Sequence, residues 1–407
     1  MINRVVIAGA GHAAGQAAAS LRHKKFAGEI VLIGEEPFFP YQRPPLSKKF
    51  LAGEFPAERL YVKPESFYSD AKIDVRLSTR VESINRKDKS VHLSSGDALE
   101  YDKLILATGA DVRRLSLPGA ELAGVHYLRN IQDVTRMHRD MAPGRRLVVV
   151  GAGYIGLEVA AVACQLGLQV SVIEMEDRVM SRVVSAQVSE FYQQEHRRHG
   201  VTLLLSTGIS GFSGDGRVDA VDLSNQDQLS ADLVLIGIGI EPSVRLAKQA
   251  GLEVNNGIVV DERCRTADAD VYAIGDCTFH PNSLLGRSVR LESVHNALEQ
   301  AKTAAANICG EDLIYSQVPW FWSDQYDLKL QIAGLSQGYD QTILRGIPDD
   351  RSFSCLYLRN GVLIAVDAIN SPRDFMQAKP LIAAHAVIDA AMITNTEIAL
   401  KDIAIQA

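Results

Sequence analysis

The feature that most narrows what this chain can fold into is a design it uses twice: an apolar strand, a glycine-rich turn, a small-residue helix, a second apolar strand and an acid. The first copy runs Val5-Val6-Ile7-Ala8, then Gly9-Ala10-Gly11-His12-Ala13-Ala14-Gly15, a helix to about Leu21, Ile30-Val31-Leu32-Ile33, and Glu35-Glu36. The second runs Leu147-Val148-Val149-Val150, then Gly151-Ala152-Gly153-Tyr154-Ile155-Gly156, a helix to about Gln165, Val170-Ser171-Val172-Ile173, and Glu174. Strands that are apolar throughout, rather than at alternate positions, must be covered on both faces, as in parallel sheets flanked by helices. Each copy therefore reads as a βαβ unit. The predicted fold class is α/β, with two Rossmann-like dinucleotide-binding domains.

Two more apolar strings end in glycine, Lys103-Leu104-Ile105-Leu106-Ala107-Thr108-Gly109 and Leu233-Val234-Leu235-Ile236-Gly237, and both read as buried strands. From about Pro319 the texture changes. Trp320 and Trp322 precede short strands at 331–333, 354–358 and 362–367 and a helix over about 375–391, which together predict a third, α+β domain at the C-terminus.

A pyrophosphate can approach backbone N–H groups at a helix N-terminus only where side chains are absent, and the helix's partial positive charge supplies the attraction. Gly151, Gly153 and Gly156 complete the G-x-G-x-x-G pattern; the first copy has Gly9 and Gly11, with Ala14 in third place and Gly15 after it. Two such turns, each between strand and helix and each followed by an acid about 20 residues on, predict two bound dinucleotides. A carboxylate at the end of the second strand accepts from ribose hydroxyls and repels a 2′-phosphate, so Glu174 argues for NADH, with Arg178 and Arg182 close enough in sequence to weigh the other way. In the first copy Gly34 takes the strand-end position and the acid moves to Glu35 or Glu36. A strand ending Tyr272-Ala273-Ile274-Gly275-Asp276 offers a further carboxylate for a sugar or ribityl hydroxyl.

Composition removes other classes. A net charge of −7 over 407 residues, with no dense run of Lys and Arg, argues against nucleic acid as a partner. The five cysteines (Cys164, Cys264, Cys277, Cys309, Cys355) contain no C-x-x-C, so they predict reduced thiols, with no disulfide framework and no metal site. Met1 to Arg4 leads straight into the first strand, which leaves no room for a signal peptide, and no stretch reads as a membrane span. The expectation is a cytoplasmic enzyme, monomeric or weakly dimeric.

With these residues in view the chain resembles the FAD-dependent pyridine nucleotide reductases, specifically the ferredoxin reductases of bacterial oxygenase systems. The resemblance spans essentially the whole length. Its specific strings are Arg43-Pro44-Pro45-Leu46-Ser47-Lys48 and Pro319-Trp320-Phe321-Trp322-Ser323-Asp324-Gln325, joined by Glu292-Ser293-Val294-His295-Asn296-Ala297. It implies a discontinuous FAD domain of residues 1–112 and 242–318, an NAD domain of 113–241 inserted in it, and a C-terminal domain of 319–407 capping the flavin. It also implies cofactor contacts at Gly9, Gly11, Ala14, Gly15, Glu35 or Glu36, Arg43, Lys48, Val81, Thr108, Gly109, Arg129, Asp276, Val294 and Trp320 for FAD. For NADH the implied positions are Gly151, Gly153, Tyr154, Ile155, Gly156, Glu158, Glu174, Arg182 and Gly237. The departures are Ala14 for glycine and His12 where apolar residues are usual.

The same resemblance implies hydride transfer from NADH to FAD and single-electron transfer to a two-iron two-sulfur ferredoxin. Lys48 and Glu158 match residues that meet at the flavin edge, so an ion pair beside the hydride-accepting nitrogen is expected there, with both as the catalytic residues. An acidic ferredoxin would seek a basic patch, for which Arg290, Lys329 and Lys379 are candidates. A disulfide-type reductase or NADH oxidase would need a reactive cysteine early in the chain, and the first is Cys164, inside the NAD helix. An NADH-sensing interaction protein like apoptosis-inducing factor would carry extra basic or targeting segments, and none is seen.

Overall fold

The computed structural model describes residues 2–405. Met1, where the first domain is expected to begin, and Gln406 and Ala407, at the end of the expected C-terminal domain, lie outside the described residues. The chain divides into two units, one of Met1–Arg43, Pro56–Asp111 and Ile240–Pro319, the other of Pro44–Phe55, Val112–Gly239 and Trp320–Ala407.

In the first unit the apolar strings pair as a five-stranded parallel sheet, in the order Val271–Ala273, Lys103–Leu106, Arg4–Ala8, Glu29–Ile33, Ile73–Arg76. One face is covered by the helices His12–His23 and Val294–Ile308, whose alanines (Ala14, Ala17, Ala18, Ala301, Ala304, Ala305) share a buried cluster with Val5, Ile7 and Leu21. Side chains this small let the two helices pack closely. The other face is covered by the antiparallel strands Val81–Asn85, Ser90–Leu93 and Ala98–Glu100, which bury Val6, Ala8, Leu104 and Leu106. Cover on both sides explains why these strands do not alternate. Leu21 is fully buried, so Leu21→Ala would cost about 2–5 kcal/mol.

The second unit repeats the plan. Its parallel sheet runs Thr202–Leu204, Gln169–Ile173, Arg146–Val150, Leu233–Ile236, Val125–Tyr127. A three-stranded antiparallel sheet (Ile209–Ser213, Ala220–Leu223, Gln228–Ser230) covers one face. The helix Tyr154–Gln165 follows the glycine turn, and the helix Ala186–Arg198 begins at Ser185, whose hydroxyl accepts from Val188 N–H.

This unit also holds an antiparallel sheet with the strand order Trp320–Gln325, Leu328–Gly334, Val362–Ile369, Ser352–Arg359, Gln341–Ile347. It is tied to the parallel-sheet module by a buried polar contact, Ser185 N–H donating to Tyr357 Oη at 2.7 Å, and within the sheet the Tyr357 hydroxyl donates to Asp367. Burial pushes the Asp367 carboxyl up to about 7. Arg345, buried in the sheet, donates to the Asp374 carboxylate and to the carbonyls of Ile393, Asn395, Thr396 and Ile398.

One expectation is corrected. The helix expected over about 375–391 is Pro372–Ala383. It starts earlier because Pro372 suits the first helical position. It ends because His385 adopts a left-handed backbone (φ 50°), which turns the chain so that Ile388 N–H reaches the Gly361 carbonyl and Val387–Ile388 joins the sheet beside Val362. The three short strands expected in this region are present, each longer by a few residues.

Candidate functional site

Each glycine turn is shaped by the carbonyl that follows the neighbouring strand. Gly9 has φ +119°, and a Cβ there would overlap the Ala107 carbonyl oxygen; Gly151 has φ +102°, and its Cβ would lie 2.5 Å from the Gly237 carbonyl oxygen. Both turns therefore need glycine twice over, for backbone conformation and for space. The strings ending in Ala107-Thr108-Gly109 and Gly237 supply those walls. Thr108 itself donates its hydroxyl to the Ser243 carbonyl at 2.7 Å, beside Gly109. Gly156 closes against the Gly151 carbonyl, and Gly15 packs on Pro40, where a Cβ would meet that side chain at 2.7 Å. Ala14 points into the buried cluster of the first unit.

The two helix N-termini behind these turns are bare. Their N-caps are Gly11 and Gly153; neither helix has a side-chain cap or an acid in its first turn, and a Cβ on either glycine would meet nothing within 4 Å. By contrast, the helices that begin after Asn130, Ser185 and Ser293 are all capped by those side chains. Uncapped N–H groups facing open space at two glycine turns fit two diphosphates, one in each unit.

Around the first turn, Glu36 accepts from Arg43 Nη2 at 2.8 Å and from Tyr41 Oη at 2.6 Å, while Glu35 pairs with Arg80. Asp276 sits in the short 3-10 turn Gly275–Cys277, fixed by Gln300, whose Oε1 accepts from Gly275 N–H at 2.7 Å and from the Thr278 hydroxyl at 3.0 Å. His12, close to Asp276 and Arg43, is pushed down to about 4 by burial, against the pull of Asp276, so it is neutral at pH 7. Val81 is a buried strand residue, and Val294 opens the Ser293-capped helix.

Around the second turn, Glu174 Oε2 accepts from Ala152 N–H at 2.7 Å and Oε1 from Glu176 N–H at 3.1 Å. Its carboxylate therefore stands on the turn itself. Arg178 is committed to the Val184 and Ser181 carbonyls and the Ser189 hydroxyl, whereas Arg182 is exposed. Of the two arginines that could favour a 2′-phosphate, one is thus fixed elsewhere. Ile155 is exposed, and the Tyr154 ring lies 4.9 Å from that of Phe321. Arg129 donates its backbone N–H to Asp133 at 2.9 Å, and Trp320 lies under Lys379 Nζ, 5.6 Å from its ring centroid.

Lys48 and Glu158 meet. The segment Pro44–Phe55, although early in the chain, belongs to the second unit, where Leu51 O and His138 Nδ1 lie 3.0 Å apart. Lys48 Nζ lies 2.6 Å from Glu158 Oε2, with Glu158 only 3% exposed on the helix Tyr154–Gln165. Two residues to which the sequence analysis gave no role complete the cluster: Ser47 Oγ donates to Glu158 Oε2 at 2.5 Å and Ser323 Oγ to Oε1 at 2.7 Å. The available signal was their place inside the two most specific strings of the chain.

Burial pushes the Cys164, Cys264, Cys277, Cys309 and Cys355 thiols up, Cys355 to about 12, away from the reactive thiolate. No group of His, Cys, Asp and Glu among the described residues could hold a metal ion, and no helix among them is long and apolar enough to cross a membrane.

Comparison with known proteins gives the family. Residues 3–301 match the family described as pyridine nucleotide-disulphide oxidoreductase, and residues 320–404 match the reductase C-terminal family. A ferredoxin–NAD(P)+ reductase of Sphingomonas sp is 43% identical over 401 residues, covering 98% of this chain and 97% of that protein. Rhodocoxin reductase of Rhodococcus erythropolis is 44% identical over 398 residues, covering 98% and 93%. Among solved structures, the covalent complex of putidaredoxin reductase with putidaredoxin matches with a TM-score of 0.96 at 40% identity, covering 98% of each chain. The chain belongs to the pyridine nucleotide-disulphide oxidoreductase family, as an oxidoreductase that binds FAD and uses a pyridine nucleotide.

Proposed function

We propose that this chain is the NADH-dependent ferredoxin reductase of an oxygenase system, taking a hydride from NADH and passing electrons singly to a two-iron two-sulfur ferredoxin in the cytoplasm. The observation that carries the reading is the pair of uncapped helix N-termini, Gly11 and Gly153, each behind a glycine turn walled by a strand-end carbonyl. Full-length identity above 40% to reductases named for ferredoxin and rhodocoxin supports the acceptor class. We assign FAD to residues 1–112 and 242–318, with its diphosphate at Gly9, Gly11 and Gly15 and its sugars toward Glu36 and Asp276. We assign NADH to 113–241, at Gly151, Gly153 and Gly156.

Bound FAD supplies the conversion between two-electron and one-electron chemistry. What remains for the protein is placement and charge. We assign Lys48 and Glu158 as the catalytic residues: a part-buried ammonium held by a buried carboxylate is a preorganised charge that favours the electron-rich product of hydride transfer. Glu174 supports the preference for NADH, because its carboxylate on the turn would repel a 2′-phosphate. The unbridged cysteines support a reducing compartment.

The test is gentle purification, an absorbance spectrum, and titration with NADH against NADPH, followed by cytochrome c reduction with and without two-iron ferredoxins. A yellow protein bleached preferentially by NADH, whose cytochrome c reduction rises with ferredoxin, is expected. A colourless protein that takes up no flavin on reconstitution would overturn the reading.

A further inference from the structure

The carboxylate of Glu158 supports an inference that rests on the catalytic assignment above and goes beyond it. Both of its oxygens are engaged, Oε1 by the Ser323 hydroxyl and Oε2 by the Ser47 hydroxyl and the Lys48 ammonium. A lone ion pair leaves a carboxylate able to rotate about its last bond. A donor on the second oxygen fixes its plane, and with it the place of the ammonium.

Ser323 is itself fixed from behind. Gln325 Nε2 donates to Ser323 Oγ at 3.3 Å, and Gln325 Oε1 faces His196 Nε2 at 2.9 Å, so His196 Nε2 must carry the proton. Burial pushes His196 down to about 4, so it is neutral at pH 7; its Nδ1, 3.1 Å from Tyr326 Oη, is then the acceptor. The chain of donors runs one way, from Tyr326 to His196 to Gln325 to Ser323, and ends on Glu158. Ser323, Gln325 and His196 are all buried, so water does not compete for these positions.

We infer that Ser323 is a positioning residue for hydride transfer: it fixes the Glu158 carboxylate, and through it Lys48, with its own proton aimed by Gln325 and His196. The strand Trp320–Gln325 thereby contributes to the redox machinery through a hydroxyl that touches no reacting atom.

The test uses the flavin-loaded protein, following flavin reduction by NADH in stopped flow together with the flavin midpoint potential. Ser323→Ala is expected to slow reduction about tenfold, equivalent to about 1.4 kcal/mol, with NADH affinity changed less than about twofold. Its midpoint potential is expected to move in the same direction as that of Lys48→Met, by less. Ser323→Thr, which keeps the hydroxyl, restores most of the rate. In a Lys48→Met background Ser323→Ala adds little, since the serine acts through that pair.

A normal rate in Ser323→Ala beside a slowed Lys48→Met overturns this inference and leaves the catalytic assignment standing. Normal rates in both remove the assignment and the inference together. A slowing that persists in full without Lys48, or that threonine does not relieve, marks a merely structural serine and also overturns it. If Ser323→Ala retains no flavin, Ser47→Ala decides by the same comparison: coupling to Lys48→Met supports the clamp, and simple additivity refutes it.

Discussion

Gln16 and Glu158 occupy the same place in the two copies of the repeated design, the fifth residue of the helix that follows the glycine turn. Gln16 donates to Ser20 one turn further along its own helix. Glu158 is buried and draws together Ser47, Lys48 and Ser323 from opposite ends of the chain. The turns that precede them are nearly superposable in logic: glycine against carbonyl, glycine as bare N-cap. On the proposed reading, the repeated scaffold holds a diphosphate twice, and the chemistry is added at one side chain of one copy.

The largest effect is expected at the shared scaffold. Gly9→Ala combines a left-handed backbone, worth about 1–3 kcal/mol of strain, with overlap on the Ala107 carbonyl, and is expected to yield protein without flavin by absorbance. Gly153→Ala, whose Cβ meets only open space, should keep fold and flavin and weaken NADH binding about tenfold in titration. Equal damage from both would show that the turns do not divide the cofactors.

Glu158→Gln is expected to slow flavin reduction about 100-fold in stopped flow, within the range of preorganised charges. Gln16→Ala should leave it within about twofold. At the strand ends, Glu174→Ala is expected to narrow the preference for NADH over NADPH about tenfold in kcat/KM, since exposed Arg182 would then face a 2′-phosphate without the opposing carboxylate.

A smaller effect separates the units by pH. Because the folded Asp367 carboxyl is raised to about 7, the folded protein retains a proton that the unfolded chain has already released. Its contribution to stability is present at low pH and is lost progressively as pH rises from about 4 to about 7. Asp367→Asn should flatten that part of the decline, read as a smaller difference in Tm between pH 5 and pH 8. Least of all, Arg290→Glu should alter ferredoxin reduction at low salt less than Lys329→Glu does, because Arg290 already pairs with Glu292 while Lys329 is exposed.

Much of this was legible without coordinates because it is local. The two βαβ units follow from unbroken apolar strands, and the glycines at 9, 11, 151, 153 and 156 from the needs of a diphosphate. The limits are also local in origin. Nothing in residues 384–388 announces the left-handed His385 that ends the last helix, since the competing partner is a strand more than twenty residues earlier. The hydroxyls on Glu158 were hidden because they lie 111 and 165 residues away in sequence. Periodicity reports which face of an element is buried, and says nothing about which distant polar group meets it.

Arg345 bears on how the chain withstands digestion. Its guanidinium gathers the carbonyls of Ile393, Asn395, Thr396 and Ile398, a stretch that forms neither helix nor strand. A protease needs pliable, untied backbone to thread its cleft, and here one cation denies it that slack. Replacing this arginine with leucine would free the stretch and with it the short 3-10 turn Leu400–Ile403 that follows, so that trypsin would gain a site at Lys401 while the sheets stay folded.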